Sequence, residues 1–141
     1  MLKQQLEDLC RELKVASIYA FGSRAREVAE GLRGAEAPTS RPGSDLDIAV
    51  QPVPGALMHP SRRVDLMHRL EEIFAVPRVD LVILPEASPF LAADAVRGEL
   101  LYCDDEDRQA EEELYYLRRA GDLAPLQQWR LQGILSGELR R

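Results

Sequence analysis

Cysteine and histidine are scarce in this sequence: Cys10 and Cys103 stand far apart, and His59 and His68 are the two histidines. There is no CxxC pair and no Cys/His cluster, which leaves a zinc site and a disulfide framework without support. The expected role of both thiols is burial in a reduced cytosol, and that of both histidines is as ordinary surface or helix residues. No apolar run approaches the ~20 residues needed to cross a bilayer. The opening MLKQQLEDLC has no secretory apolar core, so a cytoplasmic protein without a membrane is expected. Basic residues are outnumbered, 18 Lys and Arg against 24 Asp and Glu, for a net charge of −6. A broad nucleic-acid surface needs clustered cations, so the charge argues against one. A nucleotide held locally, by a helix end and a metal, is not.

What is present is a regular alternation of patterns. Leu2, Leu6, Leu9, Cys10 and Leu13 recur at helical spacing, predicting a helix over 2–14. VASIYAF (15–21) reads as a buried strand ending at Gly22, after which Ser23 is placed to cap a helix starting near Arg24. Residues 31–44 are rich in Gly, Pro and Ser and read as a loop with little to offset the entropy of ordering. Strands are predicted over 46–50, 79–84 and 100–103, with helices over 61–75 and from Ser88-Pro89 to a C′ glycine at Gly98. From Asp104 the chain reads as charged helix, broken near Gly121-Asp122, with Tyr115, Tyr116 and Trp129 packing helices or lining an interface. The fold class is α/β (α+β), a mixed sheet covered by helices. Residues 1–103 form the core, and 104–141 a helical extension of the same domain.

Three aspartates break these patterns. In Asp45-Leu46-Asp47-Ile48-Ala49-Val50 alternate side chains share a face, so Asp45 and Asp47 point one way and Leu46, Ile48 and Val50 into the core. Carboxylates two residues apart lie roughly 6–7 Å apart along a strand. That spacing can grip hard cations about 3.5–4 Å apart from one side, as two-metal phosphoryl transfer requires. Asp80 stands alone inside the apolar run 79–84, where an unpaired carboxylate is costly. If its strand lies beside the strand of Asp47, the three acids meet.

Upstream, Phe21-Gly22-Ser23-Arg24-Ala25-Arg26 reads as strand, glycine turn and helix start. Gly22 lets backbone approach a phosphate, and Ser23 with the helix N–H groups can hold it. Arg24 and Arg26 are candidates for neutralising the pyrophosphate leaving group, with a solvated helix face as the alternative. A DxD pair alone occurs in other enzymes. A haloacid-type phosphatase would need a different residue after Asp47, a calcium loop a glycine and a distant glutamate, and a glycosyltransferase a longer chain.

The ordered set FGSRAR…SDLDIAV…VDLVIL resembles the minimal nucleotidyltransferases of the DNA polymerase β superfamily, specifically the MNT antitoxins paired with HEPN toxins. The likeness covers 15–103. It implies a polymerase β-like nucleotidyltransferase fold, Mg²⁺ (or Mn²⁺), ATP as substrate, and AMP transfer to a hydroxyl, a tyrosine, of a HEPN-type toxin. By position Gly22 and Ser23 match the family's GS motif, Asp45 and Asp47 its metal-binding pair, and Asp80 its third carboxylate. Arg24 and Arg26 would then join the nucleotide-binding set. The chain departs from the family at Glu27, where a glycine is usual, and in a longer stretch between Arg24 and Ser44. A non-catalytic antitoxin that neutralises its partner by complex formation is the alternative. A small-molecule nucleotidyltransferase fits less well, because such enzymes carry a substantial second domain. Homo-oligomerisation is left open.

Overall fold

The computed structural model describes the backbone of residues 2–34 and 45–136, and the side chains of 2–34 and 45–122. Its elements in chain order are α1 (Leu2–Glu12), β1 (Val15–Phe21), α2 (Ala25–Leu32), β2 (Leu46–Pro52), α3 (Pro60–Phe74), β3 (Val79–Ile83), a 3-10 turn (Leu84–Glu86), α4 (Pro89–Val96), β4 (Glu99–Cys103) and α5 (Glu106–Ser136). The four strands form one sheet in the order β3-β2-β1-β4. β1 is antiparallel to both neighbours, while β2 and β3 run parallel, so the sheet is mixed as expected. The parallel step follows from the chain: β2 and β3 are joined by a crossover containing α3, the connection that parallel strands need.

Period-two alternation sorts the strand residues onto two buried faces. Ile18, Leu46, Ile48, Val50, Val79 and Ile83 pack against Leu6, Leu9 and Cys10 of α1, Val28 of α2, and Leu66 and Leu70 of α3. On the other face Tyr19, Phe21 and Ala49 meet Ala92, Ala95 and Val96 of α4 and Tyr116 of α5. Two side-chain hydrogen bonds fasten α5 to that face. Tyr116 Oη donates to Gln51 Oε1 (2.6 Å), and Gln109 Nε2 donates to Tyr19 Oη (2.7 Å). Tyr115 instead is exposed and stacks edge-on against Tyr116. The side chain of Trp129 lies outside the described residues.

Several local expectations are corrected. α2 begins at Ala25 with Arg24 as its N-cap, and no side chain caps it, so Ser23 does not serve that role. α2 continues to Leu32, which takes the start of the expected loop into helix. Residues 33–34 form a turn, and the rest of that loop, 35–44, lies outside the described residues. α5 runs without interruption past Gly121, a single glycine costing only ~1 kcal/mol in a helix interior. Cys10 is fully buried, but Cys103 is only half-buried. His59 and His68 are both exposed, as expected.

Gly98 is needed for a different reason from the one its position suggests. It is not left-handed; a Cβ there would lie 2.3 Å from the Ala20 carbonyl oxygen and 2.9 Å from Phe21 Cβ. The backbone between α4 and β4 therefore presses against the end of β1. Gly98→Ala is expected to destabilise the protein by about 1–3 kcal/mol, the usual range for overpacking. Denaturant titration measures this, and an unchanged midpoint would show that β4 moves aside freely.

Candidate active site

The site stands where β1, β2 and β3 present one end of the sheet together. Asp47 pairs with Phe21 across the β1–β2 ladder and with Asp80 across the parallel β2–β3 ladder. Residues paired in register point to the same side of a sheet, so Asp47 and Asp80 share a face. Asp45, just before β2 begins, lies close enough that one Arg78 side chain reaches both it and Asp80. This is the face covered by α4 and α5 further along, where Ala49 is fully buried. At the site end Asp47 is half-buried, while Asp45 and Asp80 retain 40% and 46% side-chain exposure.

The three charges act on one another. The Asp47 carboxyl is pushed above the ordinary carboxylate range, first by burial, then by Asp80, then by Asp45. Gly22 closes over the same group: its φ is +77°, and a Cβ on it would lie 2.6 Å from Asp47 Oδ2. The glycine thus leaves room for the carboxylate as well as making the turn out of β1. Its exposed neighbour Ser23 follows in that turn.

The two arginines of the turn separate. Arg24 is 2% exposed, with its Nε 3.5 Å from Glu27 Oε2, so it is neither a solvated residue nor one presented to the surface. Glu27, at the position where the resembling family has glycine, is thereby one of its ion-pair partners. Arg26 is exposed.

Two residues with no evident motif also shape the site. Glu71 on α3 accepts a hydrogen bond from the Val79 amide (3.0 Å), which fixes the first residue of β3, immediately before Asp80. Arg78 extends between the acids, its Nε 4.0 Å from Asp45 Oδ2 and 3.7 Å from Asp80 Oδ1. A cation directly before the apolar run 79–84 was the available signal. Its meaning depends on the β2–β3 register, which sequence does not display.

Three carboxylates form an all-oxygen donor set of the kind that hard dications take. As the side chains stand, no three His, Cys, Asp or Glu groups among the described residues close around one point. The donor chemistry and the mutual repulsion of the acids nevertheless fit a dication placed among them.

Comparison with known proteins bears on the fold that carries these residues. The family model "Polymerase beta, Nucleotidyltransferase" matches residues 4–107. No curated protein matches the chain. Among solved structures, a chain of a toxin–antitoxin complex with AMP-PNP is 22% identical with a TM-score of 0.67, over 96% of this chain and 99% of that one. A chain of the MntA–HepT toxin–antitoxin complex is 20% identical with a TM-score of 0.65, over 95% and 97%. A third belongs to the complex of tri-AMPylated Shewanella oneidensis HEPN toxin with MNT antitoxin, at 21% identity and a TM-score of 0.66, over 95% and 96%. At these identities the likeness is one of fold. The family model, by contrast, spans most of the chain, from α1 through β4, and on that match this protein belongs to the polymerase β nucleotidyltransferase family.

Proposed function

We propose that this protein is a Mg²⁺-dependent nucleotidyltransferase that moves AMP from ATP to a hydroxyl, a tyrosine, of a HEPN-type toxin partner. The observation that carries the reading is the in-register pairing of Asp47 with Asp80, beside a glycine turn that leaves space for the Asp47 carboxylate. Asp45, Asp47 and Asp80 would hold the metal, which supplies positive charge against the phosphate oxygens when bound. Gly22 and Ser23 offer the turn where phosphates approach backbone N–H groups. Arg26, exposed one turn away, is the better placed of the two arginines for the leaving group. Arg24 would serve the site by fixing the start of α2 from its buried position.

In this reading the partner's hydroxyl oxygen bonds to the α-phosphorus, the bond to pyrophosphate breaks, and Asp80 accepts the hydroxyl proton. Positioning and charge stabilisation carry such a reaction, which is why no cysteine or histidine is required. A protein acceptor is supported by the neighbours, chains from toxin–antitoxin complexes, one containing an AMPylated HEPN toxin. The net charge of −6 suits a partner with a basic RNA-facing surface, since complementary charge speeds encounter.

The test is to incubate the protein with the product of its neighbouring gene, ATP and Mg²⁺, and to weigh the partner intact. A gain of one or more AMP units is expected, mapping to tyrosine. A partner that stays unmodified yet is inhibited in a tight complex would favour neutralisation by occlusion.

A further inference from the structure

Arg78 has no counterpart in the chemistry just described, yet among the described ion pairs it is the only basic residue that reaches members of the aspartate trio. The other arginines in these pairs engage elsewhere, Arg11 with Asp8, Arg24 with Glu27, Arg33 with Glu99, Arg63 with Glu86, Arg69 with Glu12 and Arg108 with Asp104. Its backbone is fixed: the Arg78 carbonyl accepts the Leu46 amide (3.1 Å), and the next amide is held by Glu71. Its side chain is not fixed in the same way, being 68% exposed and separated from its two partners by 3.7–4.0 Å. Exposed pairs of this length contribute little as struts. The guanidinium therefore sits as a permanent, movable positive charge at the entrance to the parallel step, because arginine does not lose its proton in proteins.

We propose that Arg78 is the resident counter-ion of the carboxylate cluster, balancing its charge when no dication is bound and weakening the dication's hold when one is. The inference rests on the reading of Asp45, Asp47 and Asp80 as metal ligands. It makes Arg78 a positioning residue that sets metal affinity and ties occupation of the site to the arrival of a nucleotide. Phosphate oxygens give the displaced guanidinium a second place to go, so ATP and metal favour each other's binding through it.

The experiment measures Mn²⁺ binding to the full chain by calorimetry and by the loss of free-Mn²⁺ electron paramagnetic resonance signal, without partner or turnover. Arg78→Gln is expected to bind Mn²⁺ roughly three- to tenfold more tightly than wild type, the scale of one unit charge acting over about 4 Å through the water-like screening around this mostly exposed side chain. Arg78→Lys is expected to stay near the wild-type affinity, and raising NaCl to about 1 M should shrink the gap by screening. In chelator Arg78→Gln should melt below wild type, and saturating Mn²⁺ should remove the difference. A purely structural arginine would lower the melting temperature equally with and without Mn²⁺ and leave affinity unchanged, which would overturn the proposal. Weaker binding by Arg78→Gln would overturn it too. Failure of wild type and both variants to bind Mn²⁺ would instead overturn the metal-ligand reading on which it rests.

Discussion

Asp47→Asn is expected to lower AMP transfer by at least about two to three orders of magnitude while leaving the metal-free protein as stable as wild type or more so. The loss follows from removing the charge of a proposed metal ligand at the centre of the trio, since electrostatic stabilisation of the transition state is the main source of rate in such transfers. The stability follows from the perturbation of Asp47. Burial, Asp80 and Asp45 all raise its pKa in the folded state, so the folded protein holds that proton more tightly than the unfolded chain does. As pH rises through the interval between the unfolded and the raised folded pKa, stability falls, and the penalty is complete once pH stands above the raised pKa. The isosteric amide carries no charge and escapes it. Thermal melts in chelator should therefore show the variant at or above wild type at pH 7, with the gap closing as the sample is acidified below the carboxylate range. A variant that melts well below wild type at pH 7 would mean that Asp47 is a structural group, and one that retains transfer would remove it from the site.

Gly22→Ala is the second large effect, and it differs in kind because stability and function should fall together. A left-handed alanine costs about 1–2 kcal/mol, and the new Cβ would stand 2.6 Å from Asp47 Oδ2. The carboxylate must swing away, which moves a proposed metal ligand without altering its chemistry. Metal-dependent ATP binding should weaken sharply, and the melting temperature should drop. A double-mutant cycle separates the causes: in an Asp47→Ala background only the backbone strain remains, so the destabilisation by Gly22→Ala should shrink. Equal destabilisation in both backgrounds would show that the contact with Asp47 is not felt.

The strands were legible because their composition is extreme, and Asp80 was legible as an acid where an apolar run should continue. Parity alone predicted that Asp45 and Asp47 share a side, but β2 begins at Leu46, so the closeness of Asp45 to the other acids is set by the turn before the strand. What sequence could not supply was the register that sets Asp80 against Asp47, because the pairing is parallel and depends on how α3 returns the chain. The role of Arg78 was invisible for the same reason. Arg24 was open to a solvent-facing reading because arginine at a helix start is usually wet, whereas here the turn folds it inward beside Glu27. Gly98 resembled a helix stop, and its real constraint, the carbonyl of Ala20, comes from a strand far back in the chain. Ser23 looked like a cap because helix-start patterns do not resolve one residue from the next.

The position of β3 at the end of the strand order has a consequence for how the site comes apart. Among the strands β3 pairs with β2 alone, while β1 is held from both sides. A fluctuation that peels β3 away carries Asp80 out of reach yet leaves the β2-β1-β4 ladders intact. Such local opening needs far less free energy than global unfolding. A ligand that grips Asp47 and Asp80 at once would rivet this outer strand to its neighbour, so the stability gained on binding would fall first on the margin of the sheet. The aspartate end of the sheet would then open easily when empty and be firmly closed when loaded.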